Sequence, residues 1–424
     1  MLIGVKYIKP SETIDIPLIN ISSIVINQDI YNPQLSGTIT LHDRDSWERL
    51  MPTYGDILQL TIKKPLIPLT KDQTERLDAK YITLNFTVYK SSQPSLDMSK
   101  KPFRTIIIHF TAGAIIHAYT NQMSYPFKQK TYKQITQHLL DPIQLKYKFH
   151  DNTTQKITYT SPLWSAIHTL TDISDHAMAD NNRGGYLFFQ DLDGSLQFVT
   201  IPSLLEGKIG IYTDTKYYSV SQDKLIEENL SFTSSNLNFN KIGNMQFTRT
   251  PNYIKMADRG FYSSIVSYFD LETNEIKTIN KNIKDTKNFG KKLSTYLNIP
   301  TDMFGEFTNN NVFYFPTKEF KDQYLNSWVN TKLSRMLMGM YEFTVSVPGN
   351  IDRKLGTLVK VNVPAQMTST RDNEEYSTPD EVFTGTYLIR GITHLFTAKS
   401  YAQTLNLVTD GINSDKYSNN IKEW

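Results

Sequence analysis

Between Leu18 and His109 the chain repeats one pattern, short runs in which apolar and polar residues alternate, set apart by polar connections. Runs at Ile19–Ser23, Ile24–Ile26, Gly37–Leu41, Ile57–Ile62, Tyr81–Tyr89 and Arg104–Phe110 read as strands. In the clearest one, Ile82, Leu84, Phe86 and Val88 alternate with Thr83, Asn85, Thr87 and Tyr89, the period of a strand with one buried face. The segment predicts an antiparallel barrel or sandwich. The stretches Lys63–Lys80 and Ser91–Pro102 are rich in Lys, Pro, Ser, Asp and Gln, so they read as long connections.

The period changes at Thr131. Thr131 and Gln134 have capping-box spacing, and Tyr132, Ile135 and Leu139 line one helical face before Pro142. A second helix is expected from Ser161 as N-cap and Pro162 as first helical residue, burying Leu163, Ile167, Leu170 and Ile173. Gly184-Gly185 leads into Tyr186–Phe189, an Asp193-Gly194 turn and Leu196–Thr200, a hairpin signature. After more β-like sequence to about Thr250, residues 251–320 are polar and weakly periodic and read as an insertion. Helical spacing returns at 322–338 through Tyr324, Leu325, Trp328, Val329, Leu333, Met336 and Leu337.

The last ninety or so residues follow the logic of the first hundred. Gly356–Pro364 matches Gly55–Lys63 in register, so Val359, Val361 and Val363 stand where Leu58, Leu60 and Ile62 stand. An alternating strand precedes each glycine, Thr38–Leu41 in one copy and Phe343–Val347 in the other. Two further strands follow, closing at Gly113 and Gly411, although aligning those glycines sets Ile108 against Asn406 and swaps inward for outward positions. Gly55, Gly356, Gly113 and Gly411 are therefore the expected turns of two related barrels. The expected class is mainly β with minor α (α+β): a first β-barrel at 1–118, a mixed α/β middle domain at 119–205, a second β-barrel from 206–250 and 322–412, an insertion at 251–321 and a tail at 413–424.

A length of 424 residues fits three or four such units. Lys and Arg number 45 against 42 Asp and Glu, and no basic stripe of the kind that neutralises phosphates interrupts this balance. With no cysteine, disulfides, thiolate metal sites and cysteine nucleophiles are excluded, as suits assembly in a reducing cytoplasm. No signal-type segment opens the chain and no run approaches a membrane-spanning helix, so no membrane association is expected.

Candidate chemistry is sparse. His168, Asp172 and His176 are spaced four apart, as ligands on one helix face would be, but they lie opposite Leu163, Ile167 and Leu170, and a solvated face accounts for them. Asp191-Leu192-Asp193-Gly194 has calcium-loop elements, yet Phe189 and Thr200 occupy ligand positions and a tight turn is the simpler reading. Glu374 and Glu375 sit in a polar loop with nothing apolar to raise a pKa. Met336, Met338 and Met340 surround Gly339, a cluster that suits either an adaptable interface or core packing, the commoner use. Hydrolase, zinc-protease and nucleotide-loop motifs do not occur. No enzymatic activity, cofactor or metal is expected.

Together, Ser36–Asp43 (SGTITLHD) with Tyr54–Ile62 (YGDILQLTI), then Val345–Pro364 (VSVPGNIDRKLGTLVKVNVP), Thr386–Phe396 (TYLIRGITHLF) and Thr404–Gly411 (TLNLVTDG), resemble the paired barrels of phage baseplate hub proteins of the T-even type. Similar barrels open the type VI secretion spike proteins, and the hairpin Gly184–Phe198 fits the same arrangement. The resemblance implies two tail-tube-like barrels per chain. It implies a homotrimeric, pseudo-six-fold ring around a channel, with the tail tube protein on one face, a spike on the other and further baseplate proteins around it, and with passage of DNA and tape-measure protein through the bore. Because no β-helix repeat follows the second barrel before Trp424, the spike is expected to be a separate chain. The expected location is the virion, after assembly in the host cytoplasm. Two other readings remain open: a hub carrying a cell-wall hydrolase, and a hexameric distal-tail or tube-terminator subunit. The long loops, including Gln366–Glu381, are expected to act as contact arms that order on assembly.

Overall fold

The computed structural model describes residues 2–43, 50–63, 81–92, 95–96, 104–113, 115–179, 183–210, 218–220, 241–261, 263–270, 273–282, 309–314, 322–363, 380, 382–398 and 400–412. Most of the connections expected to be contact arms, and the Glu374–Glu375 pair, lie outside the described residues.

Among the described residues seven main strands build the first repeat, β1 (Leu2–Ile8), β2 (Thr13–Ile16), β3 (Ile21–Asp29), β4 (Asn32–Asp43), β5 (Ile57–Lys63), β6 (Tyr81–Ser91) and β7 (Arg104–Ala112), with a two-residue strand at Ser95–Leu96 paired to the start of β7. Alternation decides which faces they bury. Leu58, Leu60 and Ile62 of β5 are buried and meet Phe86, Leu84 and Ile82 of β6. The middle domain follows with α1 (Ile115–Thr120), β8 (Gln122–Met123), β9 (Pro126–Thr131), α2 (Tyr132–Leu140), β10 (Tyr147–Phe149), β11 (Lys156–Thr160), β12 (Trp164–Ser165), α3 (Ala166–Ser174), β13 (Tyr186–Gln190), β14 (Leu196–Thr200) and α4 (Ile201–Leu205). The second repeat holds β15 (Tyr218–Val220), β16 (Lys241–Ile242) and β17 (Asn244–Arg249). It resumes after α5 (Tyr253–Asp258), β18 (Ser263–Asp270), β19 (Glu275–Asn282), β20 (Asn309–Tyr314) and α6 (Asp322–Met338) with β21 (Tyr341–Pro348), β22 (Leu358–Asn362), β23 (Gly385–Phe396) and β24 (Tyr401–Thr409).

The fold is mainly β with minor α, as the pattern predicts. Both repeats belong to one 15-stranded sheet, and among the described residues no strand pair closes either repeat into a hydrogen-bonded ring. Pairing runs β3-β4-β7-β6-β5-β1 in the first repeat and β17-β21-β24-β23-β22-β15 in the second, the same order of corresponding strands. One edge differs: β1 lies antiparallel to β5, whereas β15 lies parallel to β22.

The correspondence extends to single hydrogen bonds. Gly55 N–H donates to Val88 O at 3.1 Å, and Val88 N–H donates to Asp56 O at 2.8 Å. Gly356 N–H donates to Ile389 O at 2.9 Å, and Ile389 N–H donates to Thr357 O at 3.0 Å. Immediately after Val88 and after Ile389 the register slips by one residue, a bulge at the same place in each copy. Counting from this turn pairs Phe110 with Leu407 and Ile108 with Leu405, all buried. The face swap seen when the closing glycines are aligned therefore disappears. Asp410 is an extra residue between strand and glycine, so Gly113 and Gly411 are one position out of step.

Two expectations shift. The second middle-domain helix starts at Ala166, with Ser165 as the N-cap accepting from His168 N–H, and not at Ser161. Trp164–Ser165 pairs with Met123–Gln122, while Ser161 Oγ is held by Met123 O at 3.0 Å and Thr169 Oγ1 at 2.9 Å. Leu163 is exposed at a positive φ instead of buried. The weakly periodic insertion also has structure that its sequence did not announce, a separate sheet in the order β19-β18-β20.

Both repeat-opening glycines need φ above zero, +93° at Gly55 and +72° at Gly356. They differ in surroundings. A Cβ at Gly55 meets nothing within 4 Å, whereas one at Gly356 would lie 2.8 Å from Leu204 Cδ2 and 3.0 Å from Ile209 Cδ1. Gly55→Ala should thus cost only backbone strain, about 1–2 kcal/mol, and Gly356→Ala about 3 kcal/mol or more through added overpacking. Urea midpoints of the two variants test this ranking, and equal losses would refute it.

Candidate functional site: the buried junction between the repeats

The two repeats are joined by strand pairing. The second half of β23, Gly391–Phe396, runs antiparallel to Asp29–Ile24 of β3. Inward positions along these strands are mostly apolar, yet His394 on β23, Gln403 on β24 and Gln28 on β3 also point inward and are buried. Buried polar groups must find partners. Here the partners form one relay.

Arg353, buried in the turn between β21 and β22, donates to Pro348 O at 2.6 Å and to Gln403 Oε1, which also accepts from Asn350 N–H at 3.1 Å. This fixes the Gln403 amide, whose nitrogen donates to Asn350 O at 2.8 Å and Tyr401 Oη at 2.9 Å and faces His394 Nδ1 at 3.1 Å. With Nδ1 accepting from Tyr401 Oη–H at 2.9 Å, Nε2–H of His394 donates to Gln28 Oε1 at 3.0 Å. Gln28 Nε2 then donates to Gln190 O at 3.1 Å. Gln190, on β13 of the middle domain, donates through its own amide to Ala112 O at 3.0 Å and Gly194 O at 2.8 Å, and accepts from Leu35 N–H at 3.2 Å. The relay thus touches both repeats and the middle domain. Burial, with the charge of Arg353 adding to it, holds the His394 pKa down at about 3, so the ring is neutral. Rings of Phe396 and Tyr401 stack beside it at 4.2 Å.

A second polar link closes the other end of the junction. Arg390 bonds Glu342 of its own repeat at 2.6 Å and reaches Asp29 of the first repeat at 3.4 Å, with its guanidinium 5.2 Å from the Tyr31 ring. The middle domain adds apolar contact, because Leu187, Phe189, Val199, Ile201 and Leu204 share a core with the second repeat. Asp151, buried at the foot of the same hairpin, keeps a lowered pKa: burial opposes ionisation, but hydrogen bonds from Lys208, Thr200 N–H and Ser203 outweigh it.

The residues singled out from sequence fall elsewhere. Gly55 and Gly113 flank β6 at one end of the first repeat, and Gly356 and Gly411 flank β23 likewise; Gly55, Gly113 and Gly356 have positive φ, and Gly411 sits in the bend after β24. His168 is exposed, with Nδ1 3.1 Å from Ser165 Oγ. Burial, with the charge of Asp175 adding to it, raises the Asp172 pKa. His176 lies beyond the end of α3, where burial lowers its pKa to about 4. These three side chains do not converge, and among the described residues no group of three His, Asp or Glu is placed to hold a metal. Asp193 makes a tight turn, accepting from Ser195 N–H at 2.9 Å, with Gly194 at φ +84°. Met338 and Met340 are core residues and Met336 packs partly buried against them. Sequence reasoning missed His394, Gln403 and Gln28. The available signal was a polar residue at an inward position of an otherwise alternating strand, as in Tyr401-Gln403-Leu405-Leu407.

No family model matches the sequence. No curated protein matches it either. The fold does match solved structures. A 43 kDa tail protein of prophage MuSo2 from Shewanella oneidensis superposes with a TM-score of 0.52 at 11% identity, covering 96% of this chain and 98% of that one. The tail protein from Neisseria meningitidis MC58 gives a TM-score of 0.54 at 12% identity, covering 96% and 97%. The chain has the fold of these phage tail proteins from end to end, in agreement with the hub-like resemblance of its motifs. Among the described residues no helix is long and apolar enough to cross a membrane.

Stability should fall with acid at this junction. The unfolded histidine titrates near 6.5 and the folded one near 3, so the unfolded state binds the extra proton throughout this window. Stability is full above about pH 6.5, declines as pH falls toward 3 and then levels, a total on the order of 5 kcal/mol. A His394→Gln variant should flatten that slope in urea titrations between pH 7 and 4. An unchanged slope would show that His394 is not the group responsible.

Proposed function

We propose that this protein is a structural, non-enzymatic hub of a phage baseplate. Three chains close a pseudo-six-fold ring that joins the six-fold tail tube to a three-fold spike carried by a separate protein. The observation that carries this reading is the internal repeat: two units with one strand order, one glycine turn and one bulge, fused through β23 and β3 into a single sheet. A six-fold tube and a three-fold spike can meet without mismatched contacts only through a component that contains both symmetries, and three chains of two units each supply it. The end-to-end likeness to two tail proteins supports a virion location.

In this reading the other baseplate proteins contact the outer face, and DNA and the tape-measure protein pass through the bore. The junction relay is saturated with internal partners, which suits a rigid structural element and not a reactive centre. Assembly takes place in the host cytoplasm, where the absence of cysteine costs nothing.

Native mass spectrometry of the purified protein with its spike should give three copies per spike trimer. Six copies, or a chain that stays monomeric with the spike bound, overturns the ring. A zymogram on bacterial cell wall should stay uncleared, and a lytic band at 48.9 kDa would restore the hydrolase reading.

A further inference from the structure

The insertion leaves the second repeat after β17 and returns to it through α6, and the two crossing points enclose a cavity of about 230 Å³. Arg249 closes β17, Lys255 in α5 and Arg259 just after it stand one helical turn apart, and Met256, Met336 and Met340 supply an apolar wall. The three cationic side chains are exposed, whereas Met256 and Met340 are buried. Gly339 leaves room for one of the cations: a Cβ there would lie 3.3 Å from Arg249 Nη1.

Charge is unbalanced at this point. Arg335 of α6 is paired with Asp175 at 2.7 Å, and Arg390 with Glu342 at 2.6 Å. Glu342 is the residue opposite Arg249 across β17 and β21, so the acid nearest along the ladder is already taken. Among the described residues Arg249, Lys255 and Arg259 form no ion pair, and no carboxylate lines the cavity. Lys255 and Arg259 are like charges at a spacing of four, an arrangement that repels. The field reaches Lys332 of α6, whose pKa is lowered by burial first and by the Arg259 charge second. Cations of one sign gathered at a concave site with a low-polarity wall concentrate anions there.

We propose that this cavity binds a phosphate group, free or borne by a small organic molecule, and that the bound group clasps the exit of the insertion to its return. Two guanidinium groups and an ammonium suit phosphate better than carboxylate, because phosphate presents three acceptor oxygens and close to two negative charges. The volume exceeds that of one water several-fold, room for a phosphate with a small substituent. The thioether wall accommodates such a substituent, since Met side chains adapt to flat or apolar groups. The residues of the junction relay do not line this cavity, and binding here does not require the ring.

Isothermal titration calorimetry on the full chain, with inorganic phosphate, adenosine monophosphate and acetate at constant ionic strength, measures the site. Saturable binding of one phosphate per chain is expected, with no saturable binding of acetate. Lys255→Gln and Arg259→Gln, both at exposed positions, should each weaken phosphate binding about tenfold, the loss of one charge-assisted hydrogen bond. Lys6→Gln on β1 should leave it unchanged. Tighter binding of the monophosphate than of inorganic phosphate identifies a phosphorylated molecule as the ligand, equal binding identifies free phosphate, and either supports the site. No saturable binding, acetate binding as tightly as phosphate, or an affinity unchanged in both variants overturns it. Hydrogen exchange on the same samples should slow with phosphate at both 249–260 and 336–340, and protection of one segment alone overturns the clasp.

Discussion

The pairing of β23 with β3 brings His394, Gln403 and Gln28 out of water together, and each must keep a partner in the low-polarity interior. A buried donor or acceptor left single costs about 1–3 kcal/mol, more than a typical hydrogen bond returns, so a slip of one residue in this junction would strand several groups at once. Apolar strands alone could slide in steps of two and still bury an acceptable face. The relay from Arg353 through Gln403, Tyr401, His394 and Gln28 to Gln190 removes that freedom, since only one register aligns every donor with an acceptor. The repeats and the middle domain are thereby held at one setting, and the expected acid sensitivity of the neutral histidine is the cost of using an imidazole in that position.

Within each repeat the backbone pattern is kept while the side chains differ. In the first repeat Gly37 lies under the Phe110 ring, whose atoms would stand 2.2 Å from a Cβ at that position. In the second repeat the corresponding pair is Phe343 and Leu407, so the aromatic ring comes from the opposite strand of the pair. Volume at the site is conserved by exchanging which strand supplies it, a trade that cores tolerate. The glycine turn and the bulge cannot be exchanged in this way, because a positive φ and an unpaired residue are backbone properties. They are accordingly where the two copies match bond for bond.

This division explains what could be read from the sequence. Alternation in β5, β6 and β22, the capping box at Thr131 and the Asp-Gly hairpin turn are local signals, and the strands, helix and turn stand where they point. The start of α3 was misplaced because Ser161 and Pro162 form a sound local cap signal, while the pairing of Trp164–Ser165 with Gln122–Met123 is a contact across forty residues that no local pattern carries. The small sheet β19-β18-β20 has charged and polar residues on both faces, as in Glu275–Asn282, so its period is hidden. His394 and Gln403 occupy positions that the alternation marks as inward. What the sequence could not supply was the partner strand β3, more than 360 residues away, that makes a polar residue acceptable there.

The repeats are not interchangeable, and the difference sits at one hairpin. In the first repeat β3 turns into β4 through Ile30 and Tyr31 alone; in the second, the same hairpin position between β17 and β21 is opened to admit residues 250–340. The segment returns through α6, whose Val329, Leu333 and Leu337 bury against the second repeat's core, so the opening is anchored on that repeat. In a closed ring of alternating repeats, every second unit would then carry this addition, and a surface that is six-fold in its strands would be three-fold in what projects from them. In the proposed ring, a duplicated sheet would supply the first symmetry through backbone geometry, and an insertion confined to one copy would supply the second without disturbing the strand order that both copies share.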